Sequence, residues 1–196
     1  MLKEFGLWYA LQSLTSKVFY FLNKTCLVSA TTSDKKIQYA VWRSNADVEK
    51  ITSLLVDCNV EVVVVCGFHH ILRYDFITQF LHVINIHPSK LPAYRGPEPI
   101  IWGLLEEQPN FGLSIHYLDV GIDTGDIIAQ YEIQRPALPL SVLVELGLSR
   151  RLPRALEGVL KNILNNQVRA MPQELGFYLP RPSLRARKTR KGLTRT

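Results

Sequence analysis

Apolar positions along the chain repeat first with a helical period and then with a strand period. Leu7, Leu11, Leu14, Val18 and Leu22 are spaced by four and three, which predicts a helix over residues 2–24 with one buried face, widened by Tyr20 to Leu22. A polar loop around Ser33 to Lys36 separates it from a short strand, Ile37 to Val41. Ser44-Asn45-Ala46-Asp47 then offers a cap and an early acid for a helix to about Asp57, with Val48, Ile51, Leu54 and Leu55 inward. Val60 to Val65 is nearly unbroken valine, as expected of a strand buried on both faces. Residues 37–65 therefore read as a βαβ unit of a parallel sheet.

Cys66 to Leu72 is a turn leaving that strand, followed by a predicted helix around Arg73 to Phe80 and a strand from His82 to Ile86. Pro88, Pro92, Gly96, Pro97 and Pro99 impose an irregular loop before a helix over about Ile100 to Glu107. Phe111 to Leu118 and Asp126 to Ile133 alternate with period two, and Asp119 to Gly125 connects them, which predicts a hairpin. Leu140 to about Asn165 is helical again, with Pro153 kinking it or opening a second helix and Leu156, Val159, Leu160, Ile163 and Leu164 on the buried side. Gly176 to Pro182 is extended and aromatic. No internal repeat interrupts this order, which fits an α/β domain over residues 1–180.

Composition changes the picture in one place. With 196 residues, 47% of them hydrophobic and 20% charged, the chain has enough apolar content for a core. The net charge of +6 suggests nucleic acid until it is located. Arg181, Arg185, Arg187, Lys188, Arg190, Lys191 and Arg195 carry the excess, and residues 1–180 hold 16 basic against 17 acidic residues. Residues 181–196 are a basic tail, so nucleic acid is expected to bind through that tail or not at all. Cys26, Cys58 and Cys66 are an odd number without C-x-x-C spacing, as in reduced thiols of a cytoplasmic protein. Phe5 to Leu22 carries Gln12, Ser13, Thr15, Ser16 and Lys17 at its centre, which argues against a transmembrane segment or signal peptide.

The candidate chemistry lies between Ile84 and Asp126. On a strand, residues i and i+2 share a face, so Asn85 and His87 aim the same way while Ile86 packs behind them. An amide N–H suits an oxygen that becomes negative, and an imidazole can donate, accept or carry a proton. Asp123, between Gly121 and Gly125, is the carboxylate that could hold and charge His87. Losing one oxyanion donor in such a site costs on the order of 3 kcal/mol of transition-state stabilisation. By themselves Asn85 and His87 would more simply cap a strand end, and Asp123-Thr124-Gly125 in a single copy is a chance match to the aspartic-protease triplet. His69 and His70 are adjacent on a turn with no acid or cysteine at ligand spacing, so no metal is expected. His82 and His116 read as ordinary strand histidines, His116 with some chance of facing the site, and Trp102 as helix core.

Taken together, Asn85, His87, Pro88, Ser89, Leu91 and Pro92, continued by Tyr94-Arg95-Gly96, resemble the Asn-x-His and Pro-Ser-x-Leu-Pro motifs of the formyltransferases that use 10-formyltetrahydrofolate. Asp123, Gly125 and Ile127 match that family's downstream Asp-x-Gly-x-Ile, and Lys90 stands where leucine is most common. The resemblance covers about residues 37–135 and includes enzymes acting on glycinamide ribonucleotide, methionyl-tRNA and amino sugars. It implies a Rossmann-like fold: a mostly parallel central sheet flanked by helices, with a C-terminal hairpin strand and helix.

The same resemblance implies Asn85, His87 and Asp123 as the catalytic set. It implies a folate pocket walled by Phe68, His69, His70, Ile71 and Leu72 on one side and by Val120, Gly121 and Ile122 on the other, with 10-formyltetrahydrofolate as co-substrate and no metal. The expected partner is a small primary amine, such as an amino sugar nucleotide, since the remaining length has no room for a C-terminal nucleic-acid domain of the methionyl-tRNA type. A homodimer is left open. Family members normally begin with a strand and a glycine-bearing loop that help hold the acceptor, whereas here the chain opens on a helix. Methionyl-tRNA or glycinamide ribonucleotide as acceptor, hydrolysis of the formyl cofactor, and an inactive truncated folate-binding protein are the alternatives.

Overall fold

The computed structural model describes residues 26–31, 37–42, 48–57, 59–68, 70–137 and 141–183. The helix expected over residues 2–24, the Ser44–Asp47 cap, Cys58, His69 and the tail from residue 184 onward lie outside them. The chain divides into two compact units, Met1–Asn85 and Ile86–Thr196, and the boundary falls inside one strand.

In the first unit β1 (Cys26–Thr31) and β2 (Ile37–Trp42) pair antiparallel, from Cys26 opposite Trp42 to Thr31 opposite Ile37. α1 (Val48–Asp57) follows, with Ile51 and Leu55 buried four residues apart, as its amphipathic spacing requires. β3 (Val62–Cys66) comes next, then a single helical turn, α2 (Tyr74–Ile77), which buries Phe76. These elements correct the βαβ reading of residues 37–65. β2 pairs with β1 in a separate two-stranded sheet, because a neighbour a few residues away is reached at less closure entropy than one beyond a helix. The valine run is also less buried than its composition suggests: within β3 only Val63 is fully buried. The described residues begin with a strand, β1, which the helical reading of the opening did not include.

β4 (His82–His87), β5 (Asn110–Tyr117) and β6 (Ile127–Gln134) complete a four-stranded mixed sheet in the order β3-β4-β5-β6. In the second unit β5 and β6 form the expected antiparallel hairpin, with a register shift between Ile115 and His116. Every residue of β5 from Phe111 to His116 is buried, so this strand has core on both faces. α3 (Pro99–Leu105) buries Ile100 and Leu104, and α4 (Ser141–Leu164) packs on β5, β6 and α3. Pro153 sits inside α4 without dividing it. Val144, Leu148, Ala155, Leu156, Val159 and Ile163 supply the buried side of α4. Among the described residues no helix is long and apolar enough to cross a membrane.

Candidate functional site

β4 ends on His87, which is 5% exposed, and a tight loop then returns past it. Several hydrogen bonds fold that loop. Ser89 Oγ donates to the Ala93 carbonyl at 2.6 Å, and the buried Ser114 Oγ accepts from Leu91 N–H at 3.0 Å and donates to the Ser89 carbonyl at 2.7 Å. Gln130 Nε2 donates to both the Leu91 carbonyl and Ser114 Oγ, at 2.7 and 3.0 Å. Tyr94 adopts a left-handed φ of 60°, and its carbonyl lies 3.0 Å from His87 Nε2. Its hydroxyl donates to Glu106 at 2.6 Å; burial and that carboxylate push the phenol's proton affinity up.

The carboxylate comes from the hairpin connection. Asp119 Oδ1 accepts from Gly121 N–H at 3.0 Å and from Thr124 Oγ1 at 2.6 Å, closing the turn that presents Asp123 at a left-handed φ of 55°. Asp123 Oδ2 accepts from Gly96 N–H at 2.8 Å and stands 3.5 Å from His87 Nδ1. Its other oxygen, Oδ1, stands 3.8 Å from Nε2 of His116, a residue with no solvent exposure. His116 Nδ1 is 2.7 Å from the Tyr117 carbonyl, and the two imidazoles cross edge to face at 6.4 Å. One carboxylate thus lies between two buried rings, each of which has its other nitrogen on a backbone carbonyl.

The electrostatics of this set are opposed. Burial lowers the His87 pKa from its ordinary 6.5, while Asp123 and then the Tyr94 carbonyl act to raise it. His116 is lowered likewise, by burial first and against the pull of Asp123. A backbone carbonyl can only accept, so the hydrogen bond at Tyr94 places a proton on His87 Nε2 and turns Nδ1 toward Asp123. Acceptors at both nitrogens favour the imidazolium, and the dry surroundings disfavour it.

Of the residues singled out in the sequence, the second unit brings His87 and Asp123 together and adds His116, expected as a strand histidine with some chance of facing the site. Strand alternation alone could have placed His116 on the side of Ser114, but not beside a carboxylate eight residues beyond Ile115. Asn85 is half-buried on β4 and closes the first unit. In that unit the rings of Phe68 and His70 lie 5.4 Å apart, tilted by 57°, Ile71 is exposed and Leu72 is buried, while His69 lies outside the described residues. Val120 and Ile122 are exposed on the connection, at 73% and 41%, and Gly121 is half-buried. Among the described residues no group of His, Cys, Asp and Glu side chains could hold a metal ion.

Residues 21–137 match the family model described as formyl transferase, which is more than half of the chain. Among curated relatives, the methionyl-tRNA formyltransferase of Syntrophus aciditrophicus is 42% identical over 86 residues, 42% of this chain and 27% of that protein. The corresponding enzyme of Clostridioides difficile is 38% identical over 92 residues, 46% of this chain and 28% of its own length. The matches thus span about a quarter of these relatives. Among solved structures, PseJ from Anoxybacillus kamchatkensis, a formyltransferase in complex with UDP-4,6-dideoxy-4-formamido-L-AltNAc and tetrahydrofolate, aligns with a TM-score of 0.57. That alignment has 30% identity and covers 63% of this chain and 66% of that one. HypX from Aquifex aeolicus, in complex with tetrahydrofolic acid, shares the fold at a TM-score of 0.66 and 13% identity, over 71% of this chain and 24% of its own.

Proposed function

The chain belongs to the formyl transferase family, and from that premise we propose that it moves a formyl group from 10-formyltetrahydrofolate to a primary amine. The observation that carries this reading is the Asp123 carboxylate between the buried rings of His87 and His116. Such transfer needs a proton moved in a site shielded from water. The amine nitrogen bonds to the formyl carbon, the bond from that carbon to the folate nitrogen breaks, and the proton lost by the amine is balanced by one gained on the leaving nitrogen.

In this reading Asn85, on the side of β4 that alternation assigns to His87, donates its amide N–H to the formyl oxygen as negative charge develops there. His87 polarises the same oxygen and carries the proton, exchanging the Tyr94 carbonyl for substrate when the formyl group arrives. Asp123 orients His87 and offsets the effect of burial on its proton affinity. For the pterin the reading offers Phe68, His69, His70, Ile71 and Leu72 of the first unit and, taken by themselves, Val120, Gly121 and Ile122 of the second. The exposure of Ile71, Val120 and Ile122 supports that assignment, because solvated apolar side chains gain by covering a flat ring.

A sugar nucleotide carrying a primary amine is the first acceptor to test, since the match to PseJ extends over 66% of that chain and the match to the methionyl-tRNA enzymes over about a quarter of theirs. The protein is incubated with 10-formyltetrahydrofolate and either a UDP-4-amino-4,6-dideoxy sugar or methionyl-tRNA, and loss of the formyl cofactor is followed beside product mass. Loss that requires one amine, with a product heavier by a formyl group, is the expected result. Loss without any amine identifies a hydrolase, and binding of tetrahydrofolate without loss identifies a folate-binding protein; either overturns the transfer reading.

A further inference from the structure

Residues 167–183 form no helix and only the single bridges of Met171 to Ile127 and Tyr178 to Arg95, yet one side chain there holds the backbone of the candidate catalytic loop. Gln173 Nε2 donates to the Asp123 carbonyl at 3.1 Å and to the Gly125 carbonyl at 2.6 Å. Its Oε1 accepts from Arg95 Nη2 at 2.7 Å and Nε at 3.2 Å. Arg95 is 8% exposed, and its other hydrogen bonds end on the Glu174 carbonyl at 3.1 Å and the Gly176 carbonyl at 3.5 Å. A guanidinium can only donate and a backbone carbonyl can only accept. A side chain between them must accept at one end and donate at the other, and a primary amide at this length does both.

We propose that Gln173 is a positioning residue: clamped by Arg95, its amide fixes the backbone around Asp123 and so sets the carboxylate against His87. The assignment rests on the reading of His87 and Asp123 as the reacting pair. It follows from where the loop needs support. Asp123 is a non-glycine residue in the left-handed region, a conformation that persists only when its surroundings impose it. Its side chain is held by Gly96 N–H, and its backbone by Gln173, which reaches the carbonyls on both sides of Thr124. Arg95 follows Tyr94, whose carbonyl meets His87, so one short segment carries both the ring's acceptor and the amide's anchor.

Gln173→Ala and the length-conserving Gln173→Met test the proposal in the full chain. The titration of His87 is read by NMR of its ring, which faces Asp123, His116 and the Tyr94 carbonyl, and formyl transfer is measured in parallel. The expected result is a lower His87 titration midpoint, because the carboxylate that raises it is no longer held. With it should come a fall in kcat of about 10-fold or more, with KM for the folate changed by less than about 2-fold. Gln173→Met serves if the alanine variant does not fold. A variant that melts earlier but leaves the His87 midpoint and kcat unaltered makes Gln173 merely structural and overturns the proposal. A shifted midpoint in a protein that transfers no formyl group with any amine keeps the positioning role and removes the reaction.

Discussion

His87 Nδ1 lies 3.5 Å from Asp123 Oδ2, and the same carboxylate's second oxygen lies 3.8 Å from His116 Nε2. One negative charge therefore serves two buried imidazoles whose proton affinities burial lowers. Which ring takes up a proton is decided by what else each of its nitrogens meets.

Replacing Asp123 with Asn tests this arrangement directly. The amide keeps the volume and can still accept from Gly96 N–H, but it removes the charge that opposes burial at both rings. Turnover in the formyl-transfer assay should fall by roughly 10²–10⁴-fold. The His87 and His116 titrations should move further down by NMR, with the far-ultraviolet spectrum unaltered. Unchanged turnover would sink the role assigned to the carboxylate.

The same burial makes stability depend on pH with a definite sign. In the unfolded chain His87 and His116 titrate near 6.5, and in the folded protein both bind a proton less readily. Between the folded value and 6.5 the unfolded state holds more protons, so stability is greatest above 6.5, falls as pH drops through 6.5 toward the folded values, and then levels off. The urea midpoint should be lower at pH 5.5 than at pH 7.5, and His116→Asn should reduce that difference. A midpoint independent of pH over this range would mean that burial does not outweigh the carboxylate at these rings.

The hairpin, strand β4, helix α3 and the pairing of His87 with Asp123 were legible because each rests on local signals: period-two alternation, a proline-bounded helix, and motifs of ordered spacing. The pairing of β2 was not. Valine content reports that a strand is apolar but not which neighbour it takes, and the hairpin with β1 won over the crossover. His116 carried only some chance of facing the site, because nothing local shows that Asp123 folds back against it across a register shift. Gln173 was invisible for a related reason, since its partners Arg95, Asp123 and Gly125 are about fifty to eighty residues away and meet it through irregular backbone.

Ser114 shows what a small hydroxyl supports when it is fully buried. It accepts from Leu91 N–H, donates to the Ser89 carbonyl and receives Gln130 Nε2, joining the loop after His87 to β5 and β6. Ser114→Ala leaves the Leu91 N–H without an acceptor in a site closed to water. The expected cost is about 1–3 kcal/mol in chemical denaturation. Loss of turnover greater than that of stability should accompany it, because the displaced loop also carries Tyr94 and its carbonyl. A variant as stable and as active as the parent would show that the hydroxyl is not needed to hold the loop.

Gly96 lies where backbone geometry and the site meet. Its φ of 118° belongs to glycine, its N–H donates to Asp123 Oδ2 at 2.8 Å, and an added Cβ would run into the Leu179 carbonyl. That carbonyl belongs to the extended segment that pairs with Arg95 through Leu179 N–H at 2.8 Å, so it cannot retreat without breaking a hydrogen bond. Gly96→Ala should therefore destabilise the protein by more than about 1 kcal/mol through backbone strain alone. It should also slow turnover, because the N–H aimed at Asp123 moves with the backbone. Denaturation and turnover measured on one preparation separate the two effects. If activity per folded molecule is retained while stability falls, the hydrogen bond from Gly96 has no part in holding the carboxylate.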